Sequence, residues 1–330
     1  MSTLFAHFFT KINQISPLEH NFIEVLDTIA LKPKTLYFYG KMPENMSKTT
    51  DQKTTIKHKK QQKSSDKNRT GLKTTRPKTV AIVGSRHNTR YGEEVAYKMA
   101  YELAKKGVVI VSGLAYGIDS VAHRGCLDAG GTTIAVLGTP IDHIYPTAHK
   151  PLAKEIIEKG GAVMSEYAPG VEVFPKTSFL ERNRLISGLS DIIVVVEATA
   201  KSGSLNTAAH ALDQGKEVFA VPGNITNPYS QGCNKLIQQG ANPYTGPDDL
   251  LRLLFPEAYV KKRKKPGQTL LFGDTEEETA ILRALAEGLR NGEDIIKVLN
   301  ISVSEFNQIM TLLEIRGVVR SLGANNWSLS

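Results

Sequence analysis

Cysteine is nearly absent from this chain of 330 residues, where Cys126 and Cys233 stand alone. Two thiols build neither a disulfide framework nor a four-ligand zinc site. Both are expected to be ordinary buried groups in a reducing, cytoplasmic compartment. Also lacking is any run of about 18 apolar residues, so no membrane-crossing helix is expected. The apolar patch Leu4–Phe9 has no basic stretch before it and no cleavage-like site after it, which does not read as a signal peptide. The nucleotide fingerprints are missing as well. No G-x-G-x-x-G opens a helix and no G-x-x-x-x-G-K-S/T occurs, which disfavours a dinucleotide dehydrogenase and a P-loop ATPase. No cofactor is expected.

The net charge of +8 is unevenly distributed. Residues 41–79 hold 12 Lys/Arg against 3 Asp/Glu, a net +9, and residues 256–272 add +4. The stretch 80–255 is close to neutral at −1, and 273–330 is acidic at −4. The excess therefore sits in two linker-like segments, where it means either non-specific capture of a polyanion or a merely solvated chain. Residues 45–76 are Lys-, Thr-, Ser- and Gln-rich, with too little apolar surface to offset their ordering entropy. This divides the chain into a lead-in segment (1–44), a disordered basic insertion (45–78), a core (79–255), a basic linker (256–272) and a small last domain (273–330).

Within the core, continuous apolar runs recur at Val80–Val83, Val108–Val111, Thr133–Leu137, Ala162–Met164, Ile192–Val196 and Val218–Val221. Such runs suit parallel strands covered on both faces. Helical spacing lies between them, as in Val95, Met99 and Leu103. The alternation predicts an α/β fold, a Rossmann-like doubly wound and mostly parallel sheet. The last domain shows helical patterns at Glu276–Gly288, Gly292–Leu299 and Val303–Ile315, the third opened by a Ser302/Glu305 capping box. Val318–Leu322 and Trp327–Leu329 suggest a hairpin, and the whole resembles a winged helix.

Ligands of open α/β sheets bind beyond the carboxyl ends of the strands. Small, anion-friendly loops cluster there: Gly84-Ser85-Arg86, Ser112–Gly117, Gly138-Thr139, Lys201-Ser202-Gly203-Ser204 and Pro222-Gly223-Asn224. Glycine allows close approach to phosphate, and N–H groups at a following helix N-terminus point at it. The segment from Phe174 to Ser187 adds Lys176, Phe179, Arg182 and Arg184, which combine stacking with phosphate neutralisation. If Glu181–Leu189 is helical, Arg182 shares a face with Leu185, Ile186 and Leu189, while Arg184 lies with Ser187 and Gly188. The two then point apart, one toward a ligand and the other toward a carboxylate or carbonyl. Asp119 and His123, four apart, read either as an acid/base pair or as a helix cap and a buried backbone partner. Glu166 and Glu197 are carboxylate bases in an enzyme and turn or cap acceptors otherwise.

In order along residues 79–254 stand VAIVGSR (Val80–Arg86), VSGLAYGIDSVAH (Val111–His123), TIAVLG (Thr133–Gly138) and FLERNRLISGLS (Phe179–Ser190). SGSL (Ser202–Leu205), VFAVPG (Val218–Gly223) and GCNKLIQQGA (Gly232–Ala241) follow. This series closely resembles the DprA/Smf family of DNA-processing proteins. The resemblance implies a non-enzymatic protein that binds and protects single-stranded DNA and hands it to the RecA recombinase during natural transformation. It implies a homodimer through the Rossmann-like domain. It assigns DNA contacts to Gly84, Ser85, Arg86, Lys176 and Phe179, with Arg182, Arg184, Lys201, Ser202, Gly203 and Ser204 as weaker carry-overs. Thr139-Pro140-Ile141 departs from a glycine-richer family turn. The alternative class is a nucleotide-phosphate hydrolase using the same loops, with Asp119 or Glu166 as base.

If the insertion adds electrostatic capture, deleting residues 45–76 will flatten the salt dependence of single-strand binding. The expected change in the log–log slope is about 0.7 for each phosphate that the shortened chain no longer neutralises, read from anisotropy titrations at several salt concentrations.

Overall fold

Short runs of small and β-branched residues, each bounded by a glycine or a polar turn, set the strands of this protein. The computed structural model describes residues 11–44, 76–257 and 275–329, apart from the side chains of Pro175 and Lys176. Most of the basic insertion and of the second basic linker lies outside the described residues. The chain divides into two compact units, Met1–Phe255 and Pro256–Ser330.

In the first unit, β1 (Asn13–Ile15) and β2 (Leu36–Gly40) precede a regular alternation. It runs β3 (Thr79–Val83), α1 (Arg90–Lys105), β4 (Val109–Ser112), α2 (Ile118–Asp128), β5 (Thr133–Leu137), α3 (Lys150–Glu158) and β6 (Ala162–Ser165). It continues through α4 (Pro175–Leu189), β7 (Ile192–Val195), α5 (Ser204–Asp213), β8 (Glu217–Ala220), α6 (Gln231–Gln238), β9 (Asn242–Pro243) and α7 (Pro247–Leu254). The sheet order is β1-β2-β6-β5-β4-β3-β7-β8-β9. Strands β3 to β9 pair in parallel, and β2 joins the edge antiparallel to β6. The chain leaves β3 toward β4 and returns through α4 to β7 on its other flank, so the direction of winding reverses between β3 and β7.

Strands β3 to β7 are buried along their length, and successive residues serve opposite faces. In β5, Ile134 and Val136 pack with Leu185, Ile186 and Leu189 of α4, while Ala135 and Leu137 pack with Leu152, Ala153 and Ile156 of α3. The mostly parallel, doubly wound α/β sheet expected from the apolar runs is therefore the observed fold. Two helices start earlier than their apolar periodicity suggests. Helix α1 begins at Arg90 because the Thr89 hydroxyl accepts from Gly92 N–H. Helix α4 begins at Pro175, whose fixed φ suits a first helical position.

The second unit holds α8 (Glu276–Ala286), α9 (Gly292–Leu299), α10 (Val303–Ile315) and a hairpin of β10 (Val319–Gly323) with β11 (Asn326–Leu329). Ile281, Leu285, Ile295, Phe306, Met310 and Val319 are among the residues of its separate core. The Ser302/Glu305 capping box is formed.

Arg76 corrects one expectation, since the sequence reading counts it within the disordered insertion. Its guanidinium donates to the carbonyls of Phe22 and Leu189 and to Asp191, and lies 5.2 Å from the centroid of the Phe22 ring. Asp191 in turn accepts from Thr79 N–H at 2.8 Å. A polar residue is ordered here because its donors find fixed acceptors. The lead-in segment, the start of β3 and the end of α4 are thereby pinned together. Arg76→Ala is expected to lower stability by about 1.5–3 kcal/mol, the usual worth of a charge-assisted bond. Urea unfolding measures that loss, and limited proteolysis should show earlier cleavage near residues 20–40.

Candidate functional site

At the reversal between β3 and β7 a cleft of about 520 Å³ opens at the carboxyl ends of the strands. Its floor is the Gly84–Arg86 loop after β3. One side is formed by α4 residues Phe179, Arg182 and Asn183, and the other by Ser202, Gly203 and Ser204 leading into α5. The first turn of α5 thus lines the cleft and brings the positive end of a ten-residue helix to it.

The loops are held by short polar links. Ser85 Oγ accepts from His87 N–H at 3.1 Å, and the Ser85 carbonyl accepts from Ile118 N–H at the start of α2. Gly117 packs on that loop with φ +74°, and a β-carbon there would lie 2.3 Å from the Ser85 oxygen. Ser202 and Ser204 hydroxyls are 2.8 Å apart. The Asn183 amide donates to the Gly203 carbonyl at 3.3 Å, tying the loop to α4. Gly138 ends β5 against Phe179, where a β-carbon would approach the ring to 2.5 Å. That close approach is what lets the aromatic side chain reach the cleft.

Two guanidiniums flank Phe179, Arg86 at 5.5 Å and Arg182 at 5.9 Å from the ring centroid. They differ in kind. Arg86 is exposed and has no ion-pair partner among the described residues. Arg182 lines the cleft but is only 5% exposed, and it donates to the carbonyls of Gly113 and Val136. Burial pulls its pKa down to about 10 against the opposing pull of Asp119, so it stays charged at neutral pH. Asp119 accepts from Gly113 and Ala115 N–H groups, and burial pushes its carboxyl up despite those donors and Arg182.

The residues singled out from sequence therefore separate. Gly84, Ser85, Arg86, Phe179, Arg182, Ser202, Gly203 and Ser204 line one cleft. Arg184 does not line it; its guanidinium makes a two-oxygen pair with Glu166 at 2.8 and 2.7 Å. The expected divergence of the two arginines is present, with Arg184 as the carboxylate-paired member. Lys201 is exposed beside the serine loop and is not in the cleft lining. Lys176 stands in the first turn of α4, and its side chain lies outside the described part. Glu197 accepts from the N–H and hydroxyl of Thr89 ahead of α1. His123 is fully buried and bonds Thr133 at 2.7 Å.

Tyr229, Thr199 and His87 also line the cleft and were not anticipated. No periodicity or charge run marks Tyr229. It arrives because β8 lies beside β7, which carries the following loop to the same edge.

The model of one family, described as DNA recombination-mediator protein A, matches residues 69–255. The chain is 49% identical to Protein Smf of Escherichia coli over 176 residues, which is 53% of this chain and 46% of that protein. It is 46% identical to DNA processing protein DprA of Bacillus subtilis over 183 residues, 55% of this chain and 60% of the other. The chain thus spans only about half the length of these curated relatives. Among solved structures, DNA processing protein A from Streptococcus pneumoniae aligns with a TM-score of 0.58 at 35% identity, covering 76% of each chain. DNA processing protein A from Helicobacter pylori, described for its single-stranded DNA binding mode, aligns with a TM-score of 0.58 at 29% identity. That alignment covers 76% of this chain and 98% of the other.

His123 makes the fold sensitive to acid. Burial, with His149 and Arg182 nearby, lowers its pKa from 6.5 to about 3. Between those values the unfolded chain takes up a proton that the folded chain refuses, so stability falls as pH drops from 6.5 toward 3. The slope from this group approaches 1.4 kcal/mol per pH unit. Urea unfolding across that range should show a shallower slope for His123→Gln than for the parent.

Proposed function

Because this chain belongs to the DNA recombination-mediator protein A family, we propose that it binds single-stranded DNA in the cleft between β3 and β7. Phosphates sit at Arg86 and the N-terminal turn of α5, and a base stacks near Phe179. The observation that carries this reading is the exposed Arg86 guanidinium, without an ion-pair partner among the described residues, beside Phe179 at the switch-point edge. Lys176, at the start of α4, supplies a further cation to the strand. Stacking and phosphate contact accept any base, so low sequence specificity follows.

The wider role is protection of the strand and its delivery to RecA in DNA uptake and recombination, by a cytoplasmic homodimer. The similarity to DNA processing proteins supports it, as does the single-strand binding for which the Helicobacter pylori relative is described. Among the described residues no helix is long and apolar enough to cross a membrane. We read the three helices and hairpin of the second unit as a winged-helix-like domain. The net charge of −4 over residues 273–330 favours a protein partner over duplex phosphate.

Binding fits better than catalysis. Of the carboxylates a hydrolase would use, Glu166 is held by Arg184 and Glu197 by Thr89. Asp119 lines the cleft while buried, and its Oδ2 accepts from two backbone N–H groups.

Anisotropy titration of a labelled single-stranded oligonucleotide, with duplex of the same sequence beside it, tests the reading. Arg86→Ala together with Lys176→Ala should weaken single-strand binding at least tenfold and flatten its salt slope by roughly 1.4. Unchanged affinity without strand preference would move binding to the basic segments and overturn the cleft.

A further inference from the structure

A second cavity of about 480 Å³ lies on the far side of Phe179, and that residue lines both. Its walls are Pro140, Tyr145, Val171 and Val173, with Asp142 and His143 among its polar lining. The two loops that enclose it are fastened together. Asp142 Oδ2 accepts from Gly170 N–H at 3.0 Å, and Ile141 N–H donates to the Tyr167 carbonyl at 3.2 Å. The chamber is thus formed before any ligand arrives. Tyr145 leans toward Phe179 with ring centroids 5.7 Å apart and planes at 45°. It is 45% exposed, and its hydroxyl makes no hydrogen bond among the described residues.

The two cavities sharing Phe179 have opposite chemistry. Among the described residues, the switch-point cleft carries Arg86 and Arg182 with Asp119, whereas the lining of the second chamber holds no lysine or arginine and includes the carboxylate of Asp142. A phosphate is repelled there, while a flat, uncharged ring suits walls of valine, proline and tyrosine. Asp142 Oδ2 faces the Gly170 N–H, leaving the other oxygen as an acceptor for an amino or imino N–H on a ring edge.

We propose that the chamber bounded by Tyr145, Val171 and Phe179 is a nucleobase subsite, taking one base of the strand whose phosphates lie at Arg86. This rests on the single-strand reading of the cleft. It gives the loop Thr139–Tyr145, which opens with the Thr139-Pro140-Ile141 departure from the family's glycine-richer turn, a ligand role through its apolar wall.

The test compares the full chain with Tyr145→Ala and Val171→Trp on two labelled oligonucleotides of equal length. One is intact oligo-dT and the other carries abasic residues throughout. Base stacking predicts that the parent binds the intact strand about five- to a hundredfold more tightly than the abasic one. Tyr145→Ala and the chamber-filling Val171→Trp should each shrink that ratio at least threefold, with circular dichroism and melting checking that both remain folded. A 2-aminopurine base stepped along the strand gives a second readout. Its fluorescence should be quenched at one position in the parent and recover in Tyr145→Ala. A base-dependent ratio that neither variant changes, with quenching that persists, would overturn the subsite while leaving the cleft intact. Loss of all binding on both strands in the parent would instead overturn the single-strand reading beneath it.

Discussion

The burial of Arg182 is the constraint on which the site depends. A guanidinium removed from water loses several kcal/mol of hydration unless acceptors replace the solvent. Here the replacements are the carbonyls of Gly113 and Val136, at the ends of β4 and β5, with the Asp119 carboxylate nearby. One side chain of α4 thereby joins two strand ends and the start of α2. Its Nε has no hydrogen-bond partner among the described residues. A shift of α4 along the sheet would strand a cation and a carboxylate together. That fixes the height at which Phe179, three residues earlier, meets the strand ends.

From that fixed height the division of labour follows. Phe179 rests on Gly138 and has the Arg86 and Arg182 guanidiniums and the Tyr145 ring as neighbours. The positive charge at the cleft comes from Arg86, from Arg182 behind it and from the N-terminal turn of α5. It is a local field rather than a consequence of net charge, since residues 80–255 sum to −1. A polyanion would be drawn to one edge of a nearly neutral unit, and the apolar chamber beyond Phe179 would be left for something uncharged.

Much of the framework could be read along the chain. The apolar runs that became β3 to β8 are continuous because both faces of the sheet are covered, and continuity survives in any parallel arrangement. The anion-friendly loops were visible because glycine and serine are needed wherever backbone must approach a phosphate or a neighbouring strand. Arg182 and Arg184 were separable by helical spacing alone, since residues two apart on a helix point apart. Their partners were not. Glu166 lies on another element, and the carbonyls that receive Arg182 belong to two different strands. Arg76 was misjudged for the same reason, because its acceptors are 54 and 113 positions away.

By itself, then, the sequence determined the alternation of strands and helices, the stock of loop chemistry and the division of charge along the chain. Each of those depends on residues that are neighbours or a few positions apart. Tertiary structure alone decided that β7 lies beside β3, which brings the Ser202–Ser204 loop and Tyr229 to the Gly84–Arg86 edge. It also decided which arginine is spent on a carboxylate, which on carbonyls, and which is left facing solvent. The physical reason is that a charge's role depends on the groups that replace its water. Those groups are gathered by the order of strands in the sheet and have no fixed spacing in the chain.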